Sequence, residues 1–159
     1  MSQRWTVPGS QRVLPANSRV LGDADPNAES TVTLIVRSRR SEAPPPGAMS
    51  REAFAREYGA DDADLQKVEA FARTHGLSVV ERSVGRRSIV LRGTVAQMSA
   101  AFGVHLRRCE TGGITFRGRE GSLSVPADLE GIVVAVLGLD DRPQAEPRVR
   151  IAAQPQTSF

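Results

Sequence analysis

The chain has 159 residues, 40% hydrophobic and 25% charged, which suits one soluble domain with a packed core and some tail. Net charge is +3, but 18 acidic residues are interspersed with the basic ones and no dense basic run appears, so the pattern is not that of a nucleic-acid tail. A lone Cys109 excludes an internal disulfide, and no stretch approaches the roughly 18 apolar residues of a membrane helix. Aromatics make up only 4% of the chain, so the core must come from Val, Leu, Ile and Ala. All but one of the 21 basic residues are arginine, Lys67 being the exception. Two readings fit: an interface with an anionic partner, which arginine serves by bidentate pairing, or a GC-rich genome that writes Arg for Lys.

Residues 1–27 are rich in Gly, Pro, Ser and Asn and read as a flexible arm; Trp5 either anchors it or stands exposed. They contain no apolar run long enough for a signal peptide. In "STVTLIV" the alternation of Val32, Leu34 and Val36 with Thr31, Thr33 and Ile35 predicts a strand with the first set inward. Three prolines in "SEAPPPGAM" forbid regular structure. Ser50 caps a helix through "REAFAREY" that Gly59 ends. Asp61 or Asp62 caps the next, "DADLQKVEAFART", whose Leu65, Val68, Phe71 and Ala72 form one apolar face, and Gly76 stops it.

"LSVVERSV" and "RSIVLRGT" follow as a hairpin around Gly85. Thr94 caps a short helix, "VAQMSAAF", with Val95, Met98 and Phe102 inward and Gly103 at its end. Strand "VHLRRC", hairpin "GGITFRGREG" and "LSVP" come next. "ADLEGIVVAVLGL" reads as a C-terminal helix, because Leu129, Ile132, Val133 and Val136 recur at helical spacing. From Asp140 periodicity is lost and prolines return, as in a linker.

The order strand, helix, strand, strand, helix, strand predicts an α+β, ferredoxin-like open sandwich: an antiparallel sheet with helices on one face, plus an extra hairpin and the C-terminal helix. The uncovered face would carry Thr31, Thr33, Ile35, Val90, Arg92, His105 and Arg107. Half apolar and half arginine, it is either a partner surface or a solvated face of β-branched residues.

No constellation for chemistry is present. "GREGS" lacks the Gly-Lys-Ser/Thr ending of a phosphate loop. HExxH, CxxC and GxSxG are absent. His75 sits near a helix C-terminus and His105 in a strand, neither with a sequence-local partner, and the pairs Asp61–Asp62 and Asp140–Asp141 are most simply helix ends. No enzyme, metal or cofactor is expected. RNA binding on a ferredoxin-like sheet needs exposed aromatics, and only Phe116 is on offer.

Three blocks resemble one known family. "MSREAFAREYGADDADLQKVEAFARTHGLSVVE", "RSIVLRGTVAQMSAAFGVHLRR" and "ITFRGREGSLSVPADLEGIVVAVLGLDDRPQA" are similar, in the same order, to the pro-kumamolisin activation domain, with Phe116 where Tyr is commoner. That family is the propeptide of sedolisins, the family S53 serine-carboxyl peptidases. The resemblance implies a ferredoxin-like propeptide, a zymogen part that inhibits its peptidase, acts as its intramolecular chaperone and is cleaved off. It also implies a peptidase catalytic domain as partner, in cis or in trans, with neither nucleic acid nor membrane involved, and a secreted or extracellular setting. The catalytic "SGTS" motif of sedolisins is absent from these residues, so no catalytic residue is carried over.

The expected organisation is an arm over 1–27, an activation domain over 28–142 and a proline-containing linker over 143–159. The sheet face would dock on the peptidase. The tail, with Asp140, Asp141, Arg142, Pro143, Arg148 and Arg150, would lie in its active-site cleft. A free-standing regulatory module with no fused peptidase is the alternative reading.

Overall fold

The computed structural model describes residues 3–141 other than 41, 43, 45 and 48. Arg142, Pro143, Arg148 and Arg150 therefore lie outside the described residues. In chain order the elements are β1 (Arg4–Thr6), β2 (Arg19–Asp23), β3 (Glu29–Val36), α1 (Arg51–Tyr58), α2 (Asp62–Thr74), β4 (Ser78–Ser83), β5 (Ser88–Thr94), α3 (Val95–Phe102), β6 (Arg107–Thr111), β7 (Ile114–Gly118), β8 (Ser124–Pro126), a single 3-10 turn (Ala127–Leu129) and β9 (Val133–Leu137).

The main sheet has the order β4-β5-β3-β9, every neighbouring pair antiparallel. With the helices inserted after β3 and β5, this is the split βαβ arrangement of an α+β ferredoxin-like open sandwich. Alternation along β3 turns Val32, Leu34 and Val36 inward, each no more than 1% exposed. They meet Ile89 and Leu91 of β5, Leu65, Val68 and Ala72 of α2, and Met98 and Phe102 of α3 in one apolar cluster. Phe71 and Phe102 join the two helices edge to face, ring centroids 5.5 Å apart.

Local chemistry sets the helix limits. Ser50 Oγ accepts from the Ala53 amide at α1, and Asp61 from Ala63 at α2. Thr94 and Gln97 form a reciprocal capping box at α3. Gly59 follows α1 where a Cβ would stand 2.3 Å from the Ala55 carbonyl oxygen and 2.7 Å from that of Val84; only glycine lets the two backbones approach so closely.

Two expectations are corrected. The predicted C-terminal helix is a 3-10 turn followed by β9, and β9, not the strand through His105, is the fourth strand of the main sheet. Gly131, at φ 76°, interrupts any helix there, and the β-branched run Ile132 to Val134 favours extended chain. The register against β3 shifts between Ile35 and Val36. This bulge puts the buried Val133 and Val136 three positions apart within one strand. Leu129 and Ile132, buried by the preceding turn, complete a spacing that imitates a helix.

Residues 3–27, expected as a flexible arm, carry β1 and β2. β1 pairs with β8, and β2 joins β6 and β7 in a separate three-stranded sheet. Val7 is 1% exposed and belongs to the core. The buried Ser10 hydroxyl accepts from the Leu123 amide at 3.0 Å and donates to the Val7 carbonyl at 2.7 Å. Trp5 is half-buried and packs against the core, which settles its anchoring role.

Candidate functional site

The face of the main sheet opposite the helices is built in rows across the strands. Glu81, Val90, Thr33 and Leu137 stand in one row; Ser83, Ser88, Ile35 and Ala135 in the next; Ser78, Arg92 and Thr31 in a third. Five of the predicted face residues, Thr31, Thr33, Ile35, Val90 and Arg92, are thus brought together. Thr33, Ile35 and Val90 are half-buried by their neighbours. Leu137 remains 50% exposed, as does the bulge residue Val134 at 48%. Arg92 is paired through Nε with Glu29 Oε2 at 3.2 Å. The centre of the face is therefore apolar or hydroxylic, with ion pairs at its borders.

His105 and Arg107 do not lie on this face. His105 lies two positions before β6 and contacts Asp23 Oδ1 through Nε2 at 2.7 Å; Arg107 pairs with Asp23 and Gly118 inside the three-stranded sheet. Their expected place followed from taking β6 as the fourth strand, and it moves with that correction.

Of the tail residues, Asp140 and Asp141 are described. Leaving Leu137, the chain turns at Gly138, where φ is 100° and a Cβ would lie 2.8 Å from the Thr31 carbonyl oxygen. Arg117 of β7 then grips it. Its Nε donates to the Leu139 carbonyl at 2.8 Å, and its Nη2 reaches the Gly138 carbonyl at 3.5 Å and Ser30 Oγ at 3.4 Å. Its backbone amide donates to the Asp141 carboxylate, while the Asp141 amide donates to the Arg117 carbonyl at 2.8 Å. Sequence reasoning missed this residue. Its only mark is a place in the "FRGR" block, where nothing local says that one arginine reaches a segment some twenty positions further along.

Elsewhere the charges act within the fold. A hydrogen bond from Arg82 of β4 holds the Asp62 carboxyl below the usual carboxylate range, and the same contact raises the Arg82 guanidinium. Burial lowers His75, helped by the positive charge of Arg4, against the cation-favouring position at the end of α2. Burial raises the Cys109 thiol and makes it less nucleophilic. Among the described residues no group of three His, Cys, Asp or Glu side chains could hold a metal ion.

Residues 46–142 match the family model of the pro-kumamolisin activation domain. The chain belongs to that family, the propeptides of the S53 peptidases. It is 36% identical over 111 residues to kumamolisin of Bacillus sp. (strain MN-32), covering 70% of this chain and 20% of that protein. It is 24% identical over 166 aligned positions to tripeptidyl-peptidase sed5 of Aspergillus fumigatus, covering 87% of this chain and 29% of that protein. The chain thus spans less than a third of either relative.

Proposed function

We propose that the chain inhibits a sedolisin-type serine-carboxyl peptidase and assists its folding, docking by the outer face of the main sheet with the segment from Asp140 onward in the active-site cleft. The observation that carries this reading is the pairing of an activation-domain sequence with a sheet face that the domain's own helices leave open. Burying Val90 and Leu137, with Thr33 between them, against the peptidase would supply much of the binding energy. Prolines at 143, 147 and 155 reduce the entropy lost when an extended segment enters a cleft. Arg142, Arg148 and Arg150 would meet carboxylates of the peptidase. Acid protonates those carboxylates, removes the attraction and favours release. The docked chain would also lower the free energy of a native-like peptidase domain, and so assist its folding.

The test is inhibition of a purified sedolisin-type catalytic domain by this chain, at neutral pH and in acid. Tight inhibition that fades in acid is the expected result. A folded chain that inhibits at neither pH would overturn the reading and favour a stand-alone interaction module.

A further inference from the structure

The Arg117 grip on residues 138–141 carries a consequence for how face and tail cooperate. Arg117 is only 18% exposed along its side chain. Its guanidinium bonds go to two carbonyls of the departing chain and to Ser30, the β3 residue beside Thr31. It thereby joins three things: the three-stranded sheet, the strand that forms the middle of the outer face, and the point where the chain leaves that face. The Arg117 amide also donates to the Asp141 carboxylate and its carbonyl accepts from the Asp141 amide, so the β7 backbone holds the last described residue as well. The positive φ of Gly138 and the close approach there to the Thr31 carbonyl leave the turn little latitude.

We propose that Arg117 is a positioning residue: it sets the point at which the segment after Asp141 leaves the domain, so that outer face and tail meet the peptidase in a fixed relation. The inference rests on the docking reading above and deepens it. Two binding segments joined by a fixed connection reinforce one another through a high effective concentration, and a loosened connection forfeits that gain without loss of any contact. Arginine suits the task because its planar fork reaches several carbonyl oxygens at once, which a lysine ammonium at the end of a flexible stem does not.

The experiment uses the full chain carrying Arg117→Ala or Arg117→Lys. The same variants are made in a full-length chain whose residues 143–159 are replaced by Gly and Ser. Inhibition of the purified catalytic domain at neutral pH is measured together with amide hydrogen exchange at Asp141. In the natural chain, Arg117→Ala should speed exchange at Asp141 and weaken inhibition about tenfold, a partial loss of an effective-concentration gain that can reach about a hundredfold or more; Arg117→Lys should weaken it less. In the chain with the replaced tail, neither substitution should alter inhibition further. Equal weakening with and without the natural tail would show that Arg117 merely holds the fold, and would overturn the inference. So would unchanged inhibition despite faster exchange. Should Arg117→Ala fail to fold, Arg117→Lys gives the same comparison. A natural chain that is folded and does not inhibit overturns the docking reading itself, a result distinct from failure of the clamp.

Discussion

Arg37 and Asp64 tie the end of the central strand to the first turn of α2. The arginine Nε donates to Asp64 Oδ2 at 2.8 Å and its Nη2 to Oδ1 at 3.2 Å. The aspartate side chain is 7% exposed and the arginine's 53%. The Arg37 guanidinium is raised above its ordinary value by this bond, against a smaller lowering by burial. Removing the arginine leaves a carboxylate in a place water hardly reaches. The helix N-terminus offers partial relief, because its dipole favours negative charge. Arg37→Ala is expected to cost about 1–2 kcal/mol, less than a fully buried pair would lose because the guanidinium is half in water. Urea unfolding reads this directly. A midpoint equal to that of the natural chain would show that Asp64 finds water or another donor.

The pair formed by Asp62 and Arg82 predicts a pH dependence with a definite sign. Arg82 holds the Asp62 carboxyl below the usual range, and Arg82 Nε also lies 3.3 Å from Glu69 Oε2, so β4 is linked to α2 by two carboxylates. A carboxyl whose folded value is depressed stabilises the fold at pH values above its unfolded value. That contribution is lost as pH falls through the folded value. The difference in melting temperature between the natural chain and Asp62→Asn should therefore be present at neutral pH and shrink on acidification below the ordinary carboxylate range. A constant difference from neutral to acid would mean that the ionised pair adds nothing.

Much of the fold was legible in the sequence because its signals were local. Ser50 and Thr94 cap the helices they were expected to cap, Asp61 proves to be the cap of α2 where Asp61 or Asp62 was expected, and the β3 alternation places Val32, Leu34 and Val36 in the core. What failed was long-range. The bulge opposite Ile35 and Val36 inserts one residue into β9 and turns a strand's spacing into a helix's. Pairing of β1 with β8 and of β2 with β6 links residues between 84 (Asp23 with Arg107) and 122 (Arg4 with Pro126) positions apart, in a segment whose prolines and glycines look unstructured by themselves. The outer face followed from alternation alone, so its β3 and β5 residues were found. The members assigned through β6 were displaced, and Val134, Leu137 and Arg117 were missed, because only tertiary register brings them in.

Ser10 tests whether the N-terminal segment contributes to the stability of the fold. Its hydroxyl is buried, and bridges the Leu123 amide and the Val7 carbonyl. In Ser10→Ala the Leu123 amide would lose that acceptor and the Val7 carbonyl that donor. A loss of about 1–2 kcal/mol is expected, the usual cost of stranding a buried polar group. Thermal or urea unfolding should show it as one cooperative transition shifted downward. A separate early transition would mean that this segment unfolds independently of the sandwich.

Leu137 separates docking from folding. It is 50% exposed in a row with Thr33 and Val90, so the isolated domain gains little by its being apolar. Leu137→Ser should shift stability by no more than about 0.5 kcal/mol, as surface substitutions usually do. If the outer face meets the peptidase, the same change removes apolar area from the middle of an interface and should weaken inhibition by roughly tenfold, a loss typical of a residue that matters to binding. Val36→Ser supplies the contrast: Val36 is 0% exposed, and its loss should lower stability strongly. A Leu137→Ser chain that melts like the natural one and inhibits equally well would remove this face from the interface, and the docking surface would have to be sought on the three-stranded sheet around His105 and Arg107.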